Sequence, residues 1–237
     1  APEINDATIR LLNRHGVEVI IPKSAGCCGA LPLHMGKERS AQGFARANVR
    51  AWTRELEGEG LDAIIINTSG CGTTVKDYGE LFAHQPDKYL AEQAEKVAAL
   101  ACDITEFLCR IELDPKVKPG LKVAYHSACS LQHGQQIREE PKILLKQMGF
   151  EVADIPESHI CCGSAGTYNL LQPDLSAKLK ARKVSNIAKT APDLVAAGNI
   201  GCIAQIASGM DLPVLHTVEL IDWATGGPKP AALQKGN

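Results

Sequence analysis

Apolar positions along the chain gather into short runs and helical stripes that alternate. Leu121–His126 is an apolar run of strand length, and Glu139–Met148 is a helical stripe closed by Gly149. Glu151–Ile155 predicts a strand, Asp174–Thr190 a helix, and Leu194–Ala197 a short apolar strand. Cys202–Ser208 reads as a short helix, and Pro213–His216 as a last strand running into Val218–Ala224. Upstream, Asp6–His15 and Ser40–Glu57 predict helices, while Val17–Ile21 and Ala63–Asn67 predict strands. Strands alternating with helices of this length predict an α/β fold whose parallel sheet is covered on both faces.

The same pattern occurs twice. Gly16-Val17-Glu18-Val19-Ile20-Ile21-Pro22, followed by Cys27-Cys28-Gly29, returns as Gly149-Phe150-Glu151-Val152-Ala153-Asp154-Ile155-Pro156 and then Cys161-Cys162-Gly163. Asp62–Cys71 matches Asp193–Cys202, and Ile104–Leu108 matches Thr217–Ile221. Order is kept while the intervals drift, as expected of a duplication. The first repeat is expected over 1–114 and the second over 121–225, joined by the polar, twice-proline stretch Leu113–Gly120. From Gly226 to Asn237 a loose tail is expected. The second repeat opens with a strand leading to Cys129, and the first offers no counterpart. A strand and a cysteine are therefore expected upstream of Ala1, which is not Met.

Composition narrows the function classes. With 237 residues, 45% hydrophobic and 22% charged, and a formal net charge of -2, the chain has the make-up of an ordinary globular protein. It lacks the clustered Lys and Arg excess of a nucleic-acid surface, so no nucleic-acid partner is expected. No apolar run approaches the ~20 residues of a membrane-spanning helix. Residues 1–6 do not read as a signal peptide.

Nine cysteines, two pairs of them adjacent, change the picture most. A disulfide framework suits small secreted domains, whereas a reducing compartment with thiolates kept for metal suits this chain. Cys129, Cys161, Cys162 and Cys202 each fall just beyond a predicted strand, where a parallel sheet gathers its ligand-binding loops. Cys27, Cys28 and Cys71 hold the matching places in the first repeat. Helix-start N–H groups favour the thiolate that binds iron or zinc. Cys102 and Cys109 have no mates in the second repeat and read as buried apolar side chains.

Weaker candidates surround the second set. His126, His133 and His159 could ligate metal or shuttle protons, but read more readily as polar side chains supporting the site or lying on the surface. Ser164, Thr167 and Tyr168 can donate to a cluster or cap the next helix. Lys178, Lys180, Arg182 and Lys183 predict a basic helix face, solvated or used for docking. No phosphate loop or dinucleotide fingerprint is present.

At Cys27-Cys28-Gly29 and Cys161-Cys162-Gly163 the chain resembles the CCG, or cysteine-rich, domain family. That family occurs in heterodisulfide reductase, anaerobic glycerol-3-phosphate dehydrogenase, lactate-utilisation proteins and glycolate oxidase. Ser130–Gly134, Ser158–Tyr168 and Asn199–Cys202 look most like its glycolate oxidase iron–sulfur branch. The resemblance implies two tandem Rossmann-like CCG units related by pseudo-two-fold symmetry. It implies a [4Fe-4S]-type cluster on Cys129, Cys161, Cys162 and Cys202, with Cys27, Cys28 and Cys71 holding a cluster or zinc. The implied role is electron relay from a flavin subunit toward the respiratory chain, without substrate chemistry of its own. FAD-binding glycolate oxidase subunits and an upstream ferredoxin-like domain are the implied partners, in the cytoplasm or peripherally at the inner membrane face. The family's Cys-x-x-Cys pair is reduced to one member in each repeat, with Thr68 and Asn199 in the other place. A zinc-stabilised or metal-free scaffold, and a thiol–disulfide enzyme, remain as alternatives.

Overall fold

The computed structural model describes residues 1–234, so Lys235–Asn237 of the expected tail lie outside the described residues. In chain order the elements are α1 (Pro2–Arg14), α2 (Ala30–His34), α3 (Glu38–Glu57), β1 (Ile64–Ile66) and α4 (Ser69–Lys76). There follow α5 (Tyr78–Phe82), α6 (Lys88–Leu100), β2 (Ala101–Asp103), α7 (Ile104–Leu108) and β3 (Lys122–His126). A π-helical turn (Ser130–Gly134) leads to α8 (Glu140–Gln147), β4 (Glu151–Asp154), α9 (Tyr168–Leu171) and α10 (Pro173–Ala188). The chain ends with β5 (Leu194–Ala197), α11 (Ile200–Ala207), β6 (Val214–His216), α12 (Thr217–Ala224) and a 3-10 turn at Ala231–Leu233. The architecture is α/β with parallel sheets, and the unit is repeated in tandem.

Two compact bodies are present among the described residues, one of residues 1–19 with 104–234 and one of residues 20–103. The first holds a four-stranded parallel sheet in the order β4-β3-β5-β6. Its central strand β5 is buried along its whole length, as an apolar run in a sheet covered on both faces must be. Against it pack Ile187 of α10 and Ile206 of α11.

Helix α1 belongs to this body although it comes from the first repeat. Ile4, Ala7, Leu11 and Leu12 form its buried stripe, Pro2 and Glu3 suit its first turn, and Arg14 its last. It packs on α12, where Arg10 Nη2 and Arg14 Nη2 reach the buried Asp222 carboxylate at 2.7 and 2.9 Å. Helix α7 packs on α8 in turn. Since α1 and α8 are repeat mates, as are α7 and α12, the same kind of helix pair is built twice from exchanged parts.

The second body has a two-stranded parallel sheet, Ile64 to Ile66 of β1 against Ala101 to Asp103 of β2. Its core holds Val49, Ile64, Tyr78, Phe82, Leu90 and Val97. The strand expected at Val17–Ile21 does not form. Its repeat mate β4 pairs only with β3, and no described segment of the first repeat stands in the place of β3. A strand needs a neighbour for its N–H and C=O groups, and here the ladder has none. Beyond α12, the Lys229 ammonium sits 5.7 Å from the Trp223 ring centroid and Pro230 is buried.

Candidate metal centre

The carboxyl ends of β3, β4 and β5 place three loops side by side. Cys129 follows β3 at the start of the π-helical turn, Cys161 and Cys162 follow β4, and Cys202 lies in the first turn of α11. Their sulfurs form a connected chain: Cys129 meets Cys161, Cys161 meets Cys162, and Cys162 meets Cys202. All nine cysteines are free. The four donors come together from residues far apart in sequence because a parallel sheet brings its strand ends to one edge.

The Cys-Cys-Gly turn does the local work, and it does so alike in both repeats. Gly163 has φ +95° and Gly29 φ +84°, a left-handed backbone that an L side chain resists. A Cβ on Gly163 would come within 2.5 Å of the Ser176 carbonyl of α10, and one on Gly29 within 2.8 Å of the Ala41 carbonyl of α3. The turn points successive N–H groups at sulfur. Gly163 N–H approaches Cys161 Sγ at 3.3 Å, and Gly29 N–H approaches Cys27 Sγ at 3.5 Å. The next N–H groups, of Ser164 and Ala30, face the second sulfur of each doublet, Cys162 and Cys28. Such a nest of amides stabilises negative charge on sulfur.

Proton sharing along the sulfur chain splits the thiols. Cys161 is held far below the usual thiol range, first by the Cys129 thiol and then by Cys162. Cys202 is lowered to about 5, first by Cys162, with His126 helping. Cys129 and Cys162, which supply those protons, are pushed up. In the first repeat Cys28 and Cys71 have their sulfurs 3.1 Å apart; Cys71 lowers Cys28 to about 6 and is itself raised. Cys27 is exposed beside them. Thiols that share protons in this way would release the remaining ones on binding a metal.

Several supporting residues escaped the sequence reading. Asn48 of α3 is buried, accepts from Gly26 N–H at 2.8 Å and donates to the Cys27 carbonyl at 3.0 Å. Tyr78 Oη donates to the Cys28 carbonyl at 2.8 Å. At the corresponding place on α10 stands Lys183, fully buried, whose ammonium donates to the Glu157 and Ser158 carbonyls at 3.2 and 3.4 Å. Burial pushes Lys183 down, while the four cysteines of the site hold it up. It is not part of the expected solvated face, on which Lys178 and Arg182 are exposed. Laying α3 over α10 would have shown that Lys183 takes the place of a loop-binding residue. Ser176 Oγ donates to the Gly163 carbonyl at 2.8 Å, and Gln205 Nε2 to Ser176 Oγ at 3.0 Å.

The remaining candidates sort by burial. His133 and His159 are exposed, whereas His126 is fully buried at the end of β3. A ring nitrogen of His126 and the sulfurs of Cys162 and Cys202 lie within 4.8 Å of one another. Asn199 caps α11, its Oδ1 accepting from Gly201 and Cys202 N–H at 2.9 and 3.4 Å. That explains why the place of a family cysteine can carry Asn here. Thr68 starts α4 without a side-chain cap. Cys102 is buried as expected, but Cys109 is exposed, because it follows the last residue of α7 rather than sitting in a core. The donor set fits a thiophilic metal centre: soft sulfur ligands, amides aimed at them, a buried cation nearby and an imidazole with no oxygen or nitrogen partner.

A model of the CCG cysteine-rich domain matches residues 1–76 and 123–207, each containing a Cys-Cys-Gly turn. The glycolate oxidase iron-sulfur subunit of Escherichia coli (strain K12) is 37% identical over 225 residues, covering 94% of this chain and 54% of its own length. The probable glycolate oxidase iron-sulfur subunit of Bacillus subtilis (strain 168) is 30% identical over 236 residues, 94% of this chain and 51% of its own. Lactate utilization protein A of Shouchella clausii (strain KSM-K16) is 26% identical over 229 residues, 93% of this chain and 92% of its own. The chain thus spans about half the length of the two glycolate oxidase relatives. With the family match over both repeats and both Cys-Cys-Gly turns built alike, the chain belongs to the cysteine-rich CCG domain family.

Proposed function

We propose that this chain is the electron-carrying part of an iron–sulfur oxidoreductase subunit of the glycolate oxidase type. Cys129, Cys161, Cys162 and Cys202 would hold a [4Fe-4S]-type cluster, which supplies one-electron transfer when bound. The observation that carries the reading is the meeting of these four sulfurs at one sheet edge, beneath the amides of the Cys-Cys-Gly turn. The protein's own contribution is electrostatic. Gly163 and Ser164 N–H groups and the Lys183 ammonium offset the charge of four thiolates. Cys27, Cys28 and Cys71 form the second, smaller donor set; with three sulfurs, it suits zinc as well as iron. FAD-binding subunits that oxidise glycolate or a related 2-hydroxy acid are the proposed electron donors, the respiratory chain the destination, and an upstream ferredoxin-like domain a further partner. No helix among the described residues is long and apolar enough to cross a membrane.

Cys161→Ser tests the reading. It should remove the visible absorbance of the second repeat's cluster and slow electron transfer, while flavin reduction by glycolate on the partner continues. Anaerobically prepared protein should carry iron with acid-labile sulfide. Zinc alone, or no metal, would leave a scaffold in place of the relay.

A further inference from the structure

The sulfur chain of the second repeat ends on an imidazole. His126 is the last residue of β3, in register with Ala197 of β5, and its side chain is wholly buried. Apart from the approach of the ring to the Cys202 sulfur, neither Nδ1 nor Nε2 has a hydrogen-bond partner. A neutral imidazole carries one donor and one acceptor, and leaving such an atom dry and unpaired costs about 1–3 kcal/mol. Buried histidines therefore normally find partners. This one faces Cys162 and Cys202, with all three donor atoms within 4.8 Å of one another. Two sulfurs and a ring nitrogen with no oxygen or nitrogen partner, all buried, form a mixed nitrogen–sulfur donor set.

Resting on the proposed cluster reading, we infer that His126 is a metal ligand, giving a ring nitrogen to an iron at the Cys162–Cys202 end of the centre in place of one of the four thiolates. The second centre is then a mixed sulfur–imidazole site. Among the described residues the first repeat's set is Cys27, Cys28 and Cys71. Imidazole is neutral where thiolate is anionic, so its presence raises the reduction potential of the metal it binds.

The full chain carrying Cys28→Ser, which silences the first site, is reconstituted anaerobically with ferrous iron and sulfide and then reduced. Pulsed electron paramagnetic resonance should show a directly bound nitrogen whose coupling changes when histidine is supplied as 15N. The coupling should persist in the His133→Gln/His159→Gln background. It should vanish in His126→Gln, and in His126→Cys the iron should remain with a midpoint potential shifted downward. A signal indifferent to the label, or a coupling that survives His126→Gln, overturns the assignment and leaves the four-thiolate cluster standing. Failure of the Cys28→Ser chain to take up iron and sulfide overturns both. Should the His126 variants fail to fold by circular dichroism, the labelled His133→Gln/His159→Gln chain still decides, because a directly bound nitrogen couples far more strongly than a remote one.

Discussion

Glycine in Cys-Cys-Gly is required twice over, by its backbone angle and by the helix that runs against it. Gly163→Ala must bear a positive φ, a strain of about 1–3 kcal/mol, and drive a methyl group into the Ser176 carbonyl. The expected result is a lowered midpoint of chemical unfolding and loss of metal from the second repeat; Gly29→Ala should do the same to the first. Lys183→Met keeps bulk but removes a buried cation beside the sulfurs. The loaded centre should keep its iron and show a lower midpoint potential by redox titration, since the reduced form loses more stabilisation than the oxidised form. An unchanged potential would refute the electrostatic role of Lys183. At this scale the sequence was uneven. Paired cysteines with a following glycine announce themselves, because adjacent thiols followed by glycine are poorly explained by packing. Lys183 did not, because one lysine among Lys178, Lys180 and Arg182 looks solvated until the helix phase is fixed by its neighbours.

Among the elements, the contact between α1 and α12 depends on one carboxylate. Asp222 is 1% exposed and met by two guanidinium groups. Removing either Arg leaves the other in place, so Arg10→Met or Arg14→Met alone should cost about 1 kcal/mol, with the Arg10 share discounted because that side chain is 42% exposed. The double variant strands a buried charge and should cost about 3–5 kcal/mol, more than the two singles together. Thermal unfolding of the four chains in the cycle measures the coupling, and strict additivity would remove Asp222 as the shared acceptor. Elements with strong periodicity were legible here: β5, α3 and α10 fall where the apolar pattern puts them, whereas α4, α5, α6 and β2, with the core residues Tyr78, Phe82, Leu90 and Val97, were not foreseen. The segment Val17–Ile21 was misread as a strand because alternation describes how a segment would fit a sheet, not whether a neighbour exists.

For the whole molecule, acid should loosen the fold through a salt link near the second site. Arg182 first, then Asn186, lowers the Glu157 carboxyl from 4.5 to about 2. A lowered folded pKa gives stability that is present above the unfolded value near 4.5 and lost as pH falls toward about 2. Glu157→Gln should flatten that part of the stability–pH curve, and salt should shrink the difference because the group is exposed. An unaltered acid limb would show the link to be idle. The doubled architecture was legible from internal matches alone, whereas the exchange of α1 and α7 into one body was not, since a repeat in sequence says nothing about which copy a helix packs on. That exchange bears on biosynthesis. Arg10 and its acceptor Asp222 are 212 residues apart, so at about 5–20 residues per second a nascent α1 waits roughly 10–40 s for its partner to leave the ribosome. During that interval its apolar stripe of Ile4, Ala7, Leu11 and Leu12 is uncovered, which makes the newly made helix a natural client for chaperones.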